Sequence, residues 1–105
     1  KTLNLKPSGK QSLQEFADEK NPTNFVHKVV VAVYYLREVA GEPSVSTNHV
    51  YTCFKWMKWK LPSDLKNTLH QAGAQGLLDT SDGANLIVTA LGENTVEHEL
   101  GKSKA

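Results

Sequence analysis

Ser46-Thr47-Asn48-His49-Val50-Tyr51-Thr52-Cys53-Phe54-Lys55-Trp56-Met57 sets apolar side chains at positions 50, 53, 54 and 57, the i, i+3, i+4, i+7 spacing that lines one face of an α-helix. Ser46 stands where an N-cap is needed, its hydroxyl able to accept an orphan amide of the first turn. The pattern is broken at Pro62, and Ser63 is placed to cap a second helix over Asp64 to Gln75. Leu65, Leu69 and Ala72 form the inner side of that helix, and Gly76 is its C-terminal stop. Beyond it, Leu77-Leu78-Asp79-Thr80 and Asn85-Leu86-Ile87-Val88-Thr89 flank Ser81-Asp82-Gly83-Ala84, which reads as a hairpin with Asp-Gly at its tip. The order helix, short turn, helix, two-stranded ribbon over residues 44 to 100 decides the fold.

Upstream, Ser12-Leu13-Gln14-Glu15 has the form of a capping box, and Leu13, Phe16 and Ala17 make one apolar edge of a short helix ending near Asn21-Pro22. The segment Phe25 to Ala40 contains Val29-Val30-Val31-Ala32-Val33-Tyr34-Tyr35-Leu36, a composition equally at home in a buried strand. Length decides for a helix: the segment exceeds a typical strand, Thr23 or Asn24 can cap it, and Gly41 can end it. Phe25, Val29, Ala32, Leu36 and Val39 fall on one face and Val30, Val31 and Tyr34 on the other, so both faces need cover. The helix bearing Leu13 and Phe16 is the first candidate for that cover, and a homodimer partner is the second. Thr89 to Leu100 is expected to form a closing helix using Leu91 or Thr95, Val96 and Leu100. Residues 1–11 read as a flexible basic arm, 12–100 as one domain and 101–105 as a flexible tail.

A chain of 105 residues, 39% hydrophobic and 22% charged, has the makings of one modest globular core, and no apolar run approaches the ~20 residues of a membrane span. Beginning at Lys1 rather than Met, it is expected to be processed or cut from something longer, and it carries no secretory apolar region. One cysteine, Cys53, excludes an internal disulfide, and a reducing, cytoplasmic setting is expected. The net charge of +1 hides a division. Residues 49–70 carry four lysines against Asp64, a net of +3, whereas residues 71–100 carry Asp79, Asp82, Glu93, Glu97 and Glu99 and no cation, a net of −5.

In element order and patterning, residues 23 to 100 resemble a winged helix-turn-helix domain. The run Ser12 to Pro22, followed by Lys28 to Leu36, is also similar to a group of uncharacterised bacterial winged-helix proteins, from which no function carries over. The resemblance implies a mainly α fold with a small antiparallel β-hairpin (α+β), here with an extra N-terminal helix. It also implies DNA binding, with the second helix of the motif in the major groove and the hairpin, or wing, against neighbouring phosphates. Those roles would fall on Asp64 to Gln75 and on Thr80 to Asn85.

With Leu65, Leu69 and Ala72 inward, the helical repeat turns Lys66, Asn67, His70, Gln71 and Ala74 outward. Asn and Gln can pair bidentately with adenine, His and Lys can donate to guanine or phosphate, and Ala permits close approach. Lys55, Lys58 and Lys60 precede this helix where backbone phosphates would lie. The plain alternative for every one of these residues is a solvated face. Asp82 departs from the basic wings of DNA-binding relatives and is well explained as turn chemistry. Tyr51, Trp56 and Trp59 could serve as core, as a partner-binding patch or as a base-stacking platform, core first. His49 and Cys53, four apart, are too few for a zinc site, and no metal or cofactor is expected. Nothing resembles a nucleophile elbow, a phosphate-cradling glycine loop or an acid/base pair, so an enzyme is the weakest reading. Two functions stay open: a DNA-binding module, in the role of a transcriptional regulator, and a protein-interaction module that uses its acidic wing and aromatic surface.

Overall fold

The computed structural model describes residues 9, 12–20, 22, 24–42, 44–81 and 85–99; apart from Gly9, the expected arm, tail and hairpin tip (82–84, with Asp82) lie outside them, as does Leu100. The fold is mainly helical with one small two-stranded antiparallel sheet.

α1 (Leu13–Lys20) begins at a complete capping box: the Ser12 hydroxyl accepts the Glu15 N–H at 3.1 Å and the Glu15 carboxylate accepts the Ser12 N–H at 3.0 Å. α2 (Phe25–Tyr34) is capped by Asn24, whose Oδ1 accepts the His27 N–H at 2.8 Å, and it continues as a π-helical turn over Tyr35–Val39. Gly41, at φ +73°, takes the chain out of the helix. Five of the ten α2 residues are valine, a poor helix former. Packing outweighs that preference. Residues Val29 to Val33 are fully buried, and each valine so placed contributes about 1.5–3 kcal/mol, several times its propensity cost.

That burial is possible because α2 is central, touching α1, α3 (Thr47–Met57), α4 (Leu65–Ala74), the second strand and the C-terminal π-helical turn. The cover for its Tyr34 side is α1. Phe16 stacks on Tyr34 with ring centroids 5.6 Å apart and planes 6° from parallel, and it meets Tyr35 at 5.7 Å.

The strands β1 (Leu78–Asp79) and β2 (Ile87–Val88) pair Leu78 with Val88 and Asp79 with Ile87. Leu78 and Val88 face the core while Asp79 and Ile87 face out. α5 (Ala90–Asn94), capped by Thr89, runs into a second π-helical turn over Thr95–Glu99. Of the two alternatives for its first core position, Leu91 is 53% exposed and Thr95 half-buried; Val96 is buried as expected, and Gly92 turns inward beside it. A Cβ on Gly92 would lie 2.1 Å from the Leu77 carbonyl oxygen, so the absence of a side chain at 92 sets which face of α5 approaches the sheet. Among the described residues no helix is long and apolar enough to cross a membrane.

Candidate nucleic-acid interface

α3 and α4 are joined by a turn whose geometry is local. Ser46 and His49 form a reciprocal cap, the Ser46 Oγ accepting the His49 N–H at 3.4 Å and His49 Nδ1 accepting the Ser46 N–H at 3.0 Å. α3 stops at Lys58, which sits in the left-handed region at φ +60°. The Trp59 N–H reaches back to the Phe54 carbonyl (3.0 Å) and the Lys58 N–H to the Lys55 carbonyl (3.1 Å), while the Trp59 and Phe54 rings meet edge to face at 5.2 Å. This is a Schellman motif with its apolar contact in place. The helix is thus ended by residue 58, four positions before the Pro62 that the sequence pattern nominated, because the Trp59–Phe54 contact rewards the earlier exit.

α4 is capped by Asp64 rather than by Ser63. The Asp64 Oδ1 accepts the Asn67 N–H at 3.1 Å, and a full negative charge suits the helix N-terminus better than a hydroxyl. Leu69 and Ala72 are buried as expected, Leu65 is half-buried, and Thr68 joins the inner side with its hydroxyl donating to the Asp64 carbonyl at 3.2 Å. Lys66, Asn67, His70, Gln71 and Ala74 are all exposed.

The structure divides the candidate residues into separate places. Lys66 and His70 border a cleft of about 360 Å³ between α4 and the hairpin, with Thr80, Ser81 and Leu86 on its far wall and Thr47 at its end. Asn67 and Gln71 are exposed on the same helix but do not line that cleft. Lys55 and Lys58 stand exposed at the end of α3. Lys60 lies elsewhere, in a notch with Asn24, Phe25 and Lys28 at the start of α2.

The hairpin beside α4 is held from below. Arg37 Nη1 donates to Asn85 Oδ1 at 3.2 Å and to the Leu86 carbonyl at 3.4 Å, and the Leu86 N–H donates to the Val45 carbonyl at 2.6 Å. Thr80 packs where Gly73 has no side chain, its Oγ1 2.9 Å from the place a Cβ would occupy. No known protein family matches this chain, and no curated protein or solved structure gives a significant match.

The acidic half of the chain is partly spoken for internally. The Asp79 carboxylate accepts both the hydroxyl (2.8 Å) and the N–H (3.1 Å) of Ser81, bonds that favour its ionised form and hold its pKa below the usual carboxylate range. The Tyr34 hydroxyl donates to Glu97 at 2.6 Å; burial first, and this bond second, push the phenol above its ordinary value. His49 Nδ1 is occupied by its cap, and Cys53 is buried among core side chains, burial pushing its thiol up to about 12, so neither reads as more than structural.

Of the aromatic trio, Trp56 is 42% and Tyr51 45% exposed, whereas Trp59 is half-buried through its contact with Phe54. Core is therefore the place of Trp59 alone. Residues that sequence reasoning passed over are Lys28, Arg37 and Thr47, whereas Thr80 stood at the edge of the expected wing. Phe25 and Lys28 do stand one helical turn apart, a spacing that pairs a ring with a cation, but nothing local indicates that Lys60 returns to meet them.

Lys58→Gly separates fold from function at this turn. Glycine takes φ +60° without strain, so thermal melts are expected to show a gain of about 0.5–1 kcal/mol after its greater unfolded-state freedom is discounted. A destabilised variant would contradict the assignment of Lys58 as a strained helix stop.

Proposed function

We propose that the chain is a winged helix-turn-helix module that binds double-stranded DNA, acts in transcriptional regulation and catalyses no reaction. The observation that carries this reading is α4: Lys66, Asn67, His70 and Gln71 are exposed together on its outward side, and the connected α3–α4 unit adds exposed Lys55, Lys58 and Lys60. The order α3, turn, α4, hairpin supports a helix presented to the major groove with a ribbon beside it. Base-edge reading then rests on Asn67 and Gln71, and phosphate contact on the lysines, with Lys66 and His70 placed where α4 meets the hairpin.

The test is a salt titration of binding to a random-sequence duplex, followed by fluorescence anisotropy. Four lysines on phosphates contribute a slope of log K against log salt of about −3 to −4. Lys66→Gln is expected to weaken all sequences alike and to reduce the slope by about 0.9. Asn67→Ala or Gln71→Ala is expected to cost about 1–3 kcal/mol at preferred sites only. Absence of duplex binding near 50 mM salt refutes the reading.

A protein-interaction module is the second reading, favoured by the exposed large apolar side chains Tyr51, Trp56, Ile87 and Leu91. Under it, Trp56→Ala leaves DNA affinity at zero and abolishes capture of the protein partner. Under the first, the same variant leaves the salt slope unchanged.

A further inference from the structure

The notch at the start of α2 holds two lysines that come from distant parts of the chain. Lys28 projects from α2 and Lys60 from the turn after α3, and with Asn24 and Phe25 they line one cavity. Lys28 is not a freely waving surface cation. Its Nζ lies 5.7 Å from the centre of the Phe25 ring and 5.5 Å from that of Trp59, so two aromatic faces hold the ammonium in place. Trp59 is itself fixed by its edge contact with Phe54 and by the backbone bond that ends α3.

Among the described residues no carboxylate lines the notch, and none of their carboxylates pairs with either ammonium. Two like charges brought into one partly apolar recess repel each other, and an anion seated between them removes that cost. The ring contacts orient Lys28 in advance, so less side-chain freedom is lost when the anion arrives.

Resting on the DNA reading above, we infer that this notch seats a phosphate of the DNA backbone, gripped by Lys28 and Lys60. It extends the interface from α4 and the turn to α2, and adds to the sequence candidates one residue, Lys28, that the turn alone does not supply. Lys28 contributes phosphate contact and no base reading, since a notch of ammonium groups and rings offers no patterned donor and acceptor pair.

The experiment compares wild type, Lys28→Gln, Lys28→Arg and Lys66→Gln on one random-sequence duplex between 50 and 200 mM salt, with thermal melts as the control for folding. Lys28→Gln is expected to reduce the salt slope by about 0.9, which corresponds to roughly eightfold weaker binding at 0.1 M salt, equally for all sequences. Lys28→Arg keeps both charge and ring contact and is expected to retain wild-type slope. In the complex, the Trp59 indole and Lys28 side-chain resonances are expected to shift. If wild type binds and loses slope with Lys66→Gln, yet Lys28→Gln keeps full slope and affinity, the notch lies outside the interface and the inference is overturned while the DNA reading stands. If wild type binds no duplex, both fall together.

Discussion

Gly92→Ala is expected to be the most damaging single methyl that this fold can receive. The new Cβ would stand 2.1 Å from the Leu77 carbonyl oxygen and 2.8 Å from Val88 Cγ1. Neither neighbour can withdraw cheaply. The Leu77 carbonyl accepts the Thr89 N–H at 3.1 Å, and Val88 is buried in the two-stranded sheet opposite Leu78. Relief therefore requires α5 to move away from the sheet, which uncovers Val88 and loosens Val96. Such overpacking costs about 3 kcal/mol or more, a large share of the ~5–15 kcal/mol available to a domain of this size. The melting temperature is expected to fall by roughly 12–20 °C. Leu91→Ala, one residue away on the exposed side, is expected to change stability by less than about 0.5 kcal/mol. Urea melts of the two variants check the pair, and a Gly92→Ala protein as stable as wild type would show that the packing of α5 is not as described.

Phe16→Ala is expected to be nearly as costly, for the opposite reason. Here the damage is a hole. Phe16 is almost fully buried, stacked on Tyr34 and tilted against Tyr35, with the Lys20 ammonium 5.6 Å from its ring centre. Removing such a ring costs about 3–5 kcal/mol through lost transfer energy and an unfilled cavity. It also strips the cover from Tyr34, whose hydroxyl ties α2 to Glu97 in the C-terminal helical turn. The variant is expected to melt at least 12 °C lower and to sediment partly as dimers or larger species, because the apolar side of α2 seeks another surface. Phe16→Leu, which refills most of the space, is expected to recover more than half of the loss. A monomeric Phe16→Ala protein with less than about 1 kcal/mol of destabilisation would mean that α1 is dispensable cover.

The caps and stops show how far local chemistry reaches. Ser12 with Glu15, Asn24, Ser46, Thr89 and the glycines 41 and 76 act over three or four residues, and the hydrogen bonds that define them join neighbours in sequence. For that reason the number, order and approximate ends of the helices could be read from residue types alone, and so could a hairpin within 77–80 and 85–89, whose paired part is Leu78–Asp79 with Ile87–Val88. The outward side of α4 was legible too, because the 3.6-residue repeat that buries Leu69 and Ala72 necessarily exposes Lys66, Asn67, His70 and Gln71.

Where the reading went astray, a packing contact had prevailed over a simpler local rule. Pro62 was a sound local stop for α3, yet the Phe54–Trp59 ring contact ended the helix at Lys58 in spite of the cost of a left-handed lysine. Leu91 was a sound core candidate by hydrophobicity, yet the backbone of Leu77 approaches α5 so closely that only a residue without a side chain can face it. Sequence by itself thus determined a mainly helical chain with a short ribbon and a polar face on one helix, because periodicity and capping are properties of adjacent residues. Tertiary structure alone decided that Lys28 joins Lys60 in one notch between aromatic rings, that Lys66 and His70 meet the hairpin across a cleft, and that Glu97 accepts the Tyr34 hydroxyl. Those groups are separated by up to dozens of residues, and the packing of α2 against α1, α3, α4, β2 and the C-terminal turn, with that of α4 against β1, brings them within reach of one another.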